Sequence, residues 1–178
     1  ETRRKILEIA KEKYGAEIKR VAPPPHKGVS DIPPIDLSVL SESNWIREYT
    51  EVISEYAESY REFIFASALA ILSALAGRKL YLRSKASPRP VYANLYIFIV
   101  GDPGVSGKTP AFDYASEFTD CVNVSRPLSS FFTPEALLQE LSEYSRRFYW
   151  RDESQVIFLQ VKSRQYLADL KQLLTELY

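Results

Sequence analysis

Residues 101–110 read Gly-Asp-Pro-Gly-Val-Ser-Gly-Lys-Thr-Pro and hold three of the chain's six glycines within seven positions. They follow six consecutive apolar residues, Leu95 to Val100, and lead into Ala111, Phe112, Tyr114, Ala115 and Phe118 at helical spacing. Strand, glycine loop, Gly-Lys-Thr and helix, in that order, are the physical recipe for a triphosphate cradle. Glycines let successive N–H groups turn inward, and the start of a helix adds unpaired N–H groups and the positive end of its dipole. The spacing predicts that the backbone of Gly104, Val105, Ser106, Gly107 and Lys108 surrounds the phosphates of ATP, that the Lys108 ammonium reaches the β and γ phosphates, and that the Thr109 hydroxyl ligates Mg2+.

The spacing departs from the usual loop in one place. Anchored on Gly107-Lys108-Thr109, the first glycine belongs at position 102, where Asp102 stands; Gly101 lies one residue too far away. Either Asp102 takes that position or the loop carries one extra residue, and the second reading spares the phosphates a facing carboxylate. Hydrolysis also needs an acid at the end of a neighbouring strand to hold the magnesium shell. Residues 154–161, Ser-Gln-Val-Ile-Phe-Leu-Gln-Val, are the candidate strand, and they offer Gln160 and Val161 where Asp-Glu is wanted. Asp152 and Glu153 sit at the strand's other end, and Asp169 falls inside the next helical pattern.

Composition limits the other chemistries. Cys121 is the single cysteine and His26 the single histidine, so neither an internal disulfide nor a Cys/His zinc site is possible within one chain, and a reducing, cytoplasmic home is the expectation. His26 lies among the five prolines of residues 22–34, a tether that gives a general base no orienting partner. The 23 Lys and Arg balance the 23 Asp and Glu, so any contact with nucleic acid must be local. The absence of Met, the three Asn and the twelve Tyr lean towards a thermophilic source.

The elements that must position the loop follow from periodicity and punctuation. Residues 2–14 form an amphipathic helix with Gly15 at its end, and the prolines of 22–34 separate it as an arm, flexible or docked on a neighbouring subunit. Ser43 or Asn44 caps one long helix running to Gly77, amphipathic through Trp45, Tyr49, Val52, Ile53, Tyr56 and Tyr60, then apolar on all sides from Phe63 to Ala76. Its tyrosines could stack single-stranded bases, but aromatics at helical spacing more commonly form core. The apolar part is shorter than the roughly 18 residues of a membrane span, so burial and no membrane contact are expected. Residues 79–83 alternate as a short strand, 91–100 read as a central parallel strand buried on both faces, and Val122 to Val124 as a further short strand. Thr133 caps a helix with Pro134 in its first turn, and Tyr166 to Leu177 give a final amphipathic helix. The alternation implies an α/β chain on a parallel sheet.

With the loop, Phe-Phe-Thr-Pro-Glu-Ala-Leu-Leu at 131–138 and Tyr-Leu-Ala-Asp-Leu at 166–170 in view, residues 63–178 resemble the P-loop ATPase family of viruses, plasmids and integrated elements, which often sits beside a primase-polymerase domain. The resemblance implies a partial RecA/AAA+ P-loop NTPase core preceded by a helical region, helicase-like ATPase activity in replication, single-stranded or duplex DNA as partner, and a homo-oligomer, by analogy a hexameric ring. With the arm at 1–34 that the prolines mark off, the expected stretches are a helical region at 35–90 and the core at 91–178, incomplete at its end as in a piece of a longer protein. Family members show Asp-Glu after the strand corresponding to 156–159; here those acids are replaced or lacking. The resemblance calls for an arginine finger, for which Arg126, Arg146, Arg147, Arg151 and Arg164 are equally available. Two further readings compete with the motor: a degenerate, non-hydrolysing nucleotide-binding or scaffold module that assembles with partner chains, and a small-molecule kinase, for which no lid or acceptor pocket is legible.

Overall fold

The computed structural model describes residues 34–83, 85, 89–101, 106–122, 126–127, 133–144, 147–149 and 172. The expected amino-terminal helix and proline arm and the strand at 154–161 lie outside the described residues, as does the terminal helix except for Gln172, which is helical. The chain divides into two compact units, Glu1–Leu72 with Tyr96–Val122 and Ser73–Leu95 with Asn123–Tyr178.

In the first unit a 3₁₀ turn, Leu37–Val39, is capped by the Asp36 carboxylate, which accepts from Ser38 N–H at 2.8 Å. The Ser38 hydroxyl, and after it this backbone N–H, holds the Asp36 carboxyl below its ordinary pKa. Helix α1, Trp45–Ser54, begins at Asn44, whose side chain accepts from Ile46 N–H at 3.0 Å, and it buries Tyr49, Thr50, Val52 and Ile53. Thr50 and Ser54 donate their hydroxyls back to the carbonyls of Ile46 and Thr50 at 2.7 and 2.6 Å. Such bonds compete with the helical ladder and tend to bend it.

Here the structure corrects the expectation of one long helix. α1 ends at Ser54, and α2, Arg61–Ala76, starts after a bend that buries Ala57 and Ser59. Tyr60 carbonyl accepts from both Phe63 and Ile64 N–H, opening the second helix. Along α2 the fully buried positions are Ile64, Ser67, Ala68 and Ile71, with Ala74 buried further on; Gly77, at φ 49°, ends it as the sequence predicts. Among the described residues no helix is long and apolar enough to cross a membrane.

Helix α3, Lys108–Cys121, buries Ala111, Ala115 and Thr119. Its Phe118 ring meets Trp45 at 5.4 Å and Tyr49 at 5.9 Å between centroids, and Trp45 meets Tyr49 at 5.1 Å. This aromatic trio joins α3 to α1. Burial raises the Tyr49 phenol well above its ordinary pKa, an effect the Ser67 hydroxyl partly offsets.

In the second unit β1, Tyr81–Leu82, pairs antiparallel with β2, Val91–Tyr92, in the register Tyr81↔Tyr92 and Leu82↔Val91. β3, Arg126–Pro127, pairs parallel with β4, Arg147–Phe148. Helix α4, Pro134–Glu143, starts at Thr133, whose hydroxyl accepts from Ala136 N–H at 3.2 Å, with Pro134 in its first turn as expected; Leu137 and Phe148 are buried.

The expected α/β P-loop NTPase core of the RecA/AAA+ type is therefore overturned. The described residues are mostly helical, and their pairings are limited to two residues per strand. Of residues 91–100, expected as the central parallel strand, Val91–Tyr92 pair, but antiparallel, and 95–100 enter no strand; Leu95, Tyr96, Phe98 and Val100 are exposed, Val100 by 87%. Pairing of β1 with β2 closes a short local loop, whereas a parallel sheet needs crossovers between distant segments, so the hairpin forms at lower entropic cost. Val122 ends α3 as a turn residue, and the remaining residues of the short strand expected at Val122 to Val124 lie outside the described residues.

Phe118→Ala should lower unfolding free energy by about 1–3 kcal/mol, since it removes a half-buried ring and two aromatic contacts. Urea unfolding monitored by tryptophan fluorescence measures it, and a loss below about 0.5 kcal/mol, the scale of an ordinary surface substitution, would refute the trio as the joint between α1 and α3.

Candidate functional site

The glycine loop belongs to the first unit, and its two ends are held together. Lys108 opens α3, and its Nζ donates to the Gly101 carbonyl at 2.6 Å, spanning seven residues. A Cβ on Gly101 would lie 2.6 Å from Ser106 Oγ and 2.9 Å from the Phe63 ring, so the start of the loop is pressed against its end and against α2. Ser106 is buried, and its carbonyl accepts from Tyr60 N–H at 3.5 Å.

Gly107 is the tightest point. Its φ is 62°, in the left-handed region, and a Cβ there would stand 1.7 Å from the Glu58 carbonyl oxygen. Only glycine meets both conditions. The bend between α1 and α2 therefore forms the wall behind the loop. Sequence reasoning assigned Gly107 to phosphate approach and missed this wall, because a backbone carbonyl such as that of Glu58 carries no side-chain signal.

The structure thus brings Ser106, Gly107, Lys108 and Thr109 onto one turn, while Gly104 and Val105 lie outside the described residues. Their roles differ by burial: Ser106 faces the interior, Lys108 is half-buried and Thr109 is exposed. Gly107 supplies no side-chain cap to α3, and the first turn of α3 contains no acidic residue. Pro110, in the first turn, has no N–H to leave unpaired, as the sequence predicts.

A helix start without an acid or a side-chain cap, next to a lysine ammonium, favours an anion. These residues fit a phosphate chain. They supply less for the metal: Thr109 is the one expected magnesium ligand, and the described residues contain no group of three or more His, Cys, Asp or Glu that could hold an ion. The arrangement can bind and neutralise phosphate; a carboxylate to order water for hydrolysis is not part of the turn.

Gly107→Ala should destabilise the chain by roughly 3 kcal/mol or more, combining the left-handed strain of an L-residue with overlap on Glu58 backbone. Thermal and urea unfolding check it; a change under about 1 kcal/mol would show that the bend does not press on the loop.

No family model, curated protein sequence or solved structure matches the chain.

Proposed function

We propose that the turn at Ser106 to Thr109 and the start of α3 bind the phosphates of ATP, and that the chain is a nucleotide-binding module that does not hydrolyse ATP by itself and assembles with partner chains. The observation that carries this reading is the Lys108 ammonium held at the Gly101 carbonyl, on a helix start with no acid in its first turn. Lys108 offers charge-assisted contacts to phosphate oxygens, α3 adds amide donors, and Thr109 offers an exposed hydroxyl to Mg2+. Bound magnesium would supply neutralisation of charge on the phosphate chain.

The sequence resemblance supports the same turn and adds the setting: cytoplasmic replication of a mobile element or virus, with DNA as substrate of the assembly and a homo-oligomeric ring as its form. Helicase-like turnover belongs to that assembly in this reading, because the turn has no carboxylate to order an attacking water and the resemblance calls for an arginine from an adjacent subunit. The mostly helical architecture favours a binding module over a free-standing motor.

Isothermal titration of the 178-residue chain with ATP and magnesium tests the assignment. Lys108→Ala should weaken binding by about tenfold or more, the usual scale for a lost charge-assisted contact, while helical circular dichroism is retained. Equal ATP affinity in wild type and variant would sink the assignment, and vigorous hydrolysis by the isolated chain would sink the non-hydrolysing half of it.

A further inference from the structure

The second unit carries a basic, aromatic hairpin that the phosphate loop does not explain. From Phe63 to Gly101 the chain has no Asp or Glu, yet it places Arg78, Lys79, Arg83, Lys85 and Arg89 within twelve positions. In a chain of zero formal charge this is a segregated positive patch. Arg78, Lys79, Arg83 and Lys85 are all exposed, and none makes an ion pair among the described residues.

Strand pairing sets the aromatic part. Tyr81 and Tyr92 are directly opposite in the β1–β2 register, which puts both rings on one face with centroids 6.0 Å apart and planes inclined at 60°. Each ring has its own guanidinium: Arg78 Cζ lies 4.5 Å from the centre of the Tyr92 ring, and Arg83 Cζ lies 5.5 Å from that of Tyr81. Arg78 also donates to the Tyr92 hydroxyl at 3.3 Å. The hairpin is anchored behind β2 by the Ser73 hydroxyl, which donates to the Ala93 carbonyl. Leu82 and Val91 form the neighbouring cross-strand pair.

We infer that this face of the hairpin binds single-stranded nucleic acid. The partner must be an anion, since the hairpin and the residues that flank it carry Arg78, Lys79, Arg83 and Lys85 with no ion pair to any of them among the described residues. It must also present flat π faces, since the exposed Tyr81 ring and the half-buried Tyr92 ring are held apart and inclined, each with an arginine beside it that can extend a stack. Backbone phosphates and unstacked bases meet both requirements in one polymer. A duplex meets only the first, because its bases are already stacked and two-residue strands present no element long enough to read a groove. Sequence preference is expected to be weak, as rings and guanidinium planes accept any base.

The test uses the 178-residue chain without nucleotide and a fluorescent oligothymidine of about 20 nucleotides, longer than the site of one small binding module. Anisotropy is read over a salt series. Wild type should bind the single strand at least tenfold more tightly than a duplex of the same length or a polyphosphate of the same charge. The double variant Arg78→Gln/Arg83→Gln should lower the slope of log affinity against log salt by about 1.4, two phosphates at about 0.7 each on a single strand. Tyr81→Leu/Tyr92→Leu keeps an apolar cross-strand pair and should weaken binding by roughly tenfold or more per lost stack with the salt slope unchanged. Circular dichroism of both variants confirms that the helices persist. Equal binding of polyphosphate or duplex would overturn the stacking role; wild-type affinity and slope in the arginine variant would overturn the site. Because no nucleotide is present, either failure leaves the ATP titration to be judged separately.

Discussion

The close approach of Gly107 to the Glu58 carbonyl fixes how the bend between α1 and α2 passes the start of α3. With 1.7 Å between that oxygen and the place of an added Cβ, position 107 can hold only hydrogen, and the segment 55–60 can pass only where it does. That passage requires α1 to stop at Ser54. Back-bonded Thr50 and Ser54 weaken the ladder there, and Tyr60 restarts it by accepting from Phe63 and Ile64. Once the bend is in place, Tyr60 N–H meets the Ser106 carbonyl, Phe63 meets Gly101, and the loop ends are brought within reach of Lys108.

This gives two of the glycines a structural duty that is independent of any chemical one. Gly101 and Gly107 are needed by packing whether or not a phosphate binds. The residues that speak for phosphate are the ones packing does not demand: Lys108, whose ammonium could have extended to water, and the acid-free helix start behind an uncapping residue. Binding needs little more than these. Catalysis needs a carboxylate and a second cation placed to fractions of an ångström, and those come from sheet edges and subunit neighbours in the enzymes that the loop resembles.

What was legible in the sequence was local. Asn44 and Thr133 cap helices because a short side-chain oxygen next to a helix start meets its orphan N–H wherever the rest of the chain goes, and Pro134, Pro110 and Gly77 obey rules of the same reach. The helix after Lys108 was legible for the same reason, as was the short strand at Tyr81. Residues 95–100 were not. Six apolar residues in a row describe a buried strand only if neighbours lie on both sides, and one sequence does not say whether those neighbours arrive. The break at 55–60 was hidden too, since Tyr56, Ala57 and Tyr60 keep helical spacing across it. Periodicity records which residues want burial; it does not record that a carbonyl at Glu58 must turn towards a glycine 49 positions later.

The zero net charge hides a separation of sign that the hairpin makes local. The five cations of residues 78–89 are offset by an excess of acids elsewhere in the chain, but screening at physiological salt cuts interactions off beyond about 8 Å. An approaching polyanion therefore meets the field of Arg78, Lys79, Arg83 and Lys85 and not the sum over the chain. Aromatic rings change what that field can select. Cations alone would hold any polyanion, and rings alone would be buried as core; set together on one face by the Tyr81↔Tyr92 register, they favour an anion that carries its own flat apolar surfaces. The register of β1 against β2 is what puts the two rings side by side, so a strand of two residues on each side is enough to set the pair and its two arginines on one face.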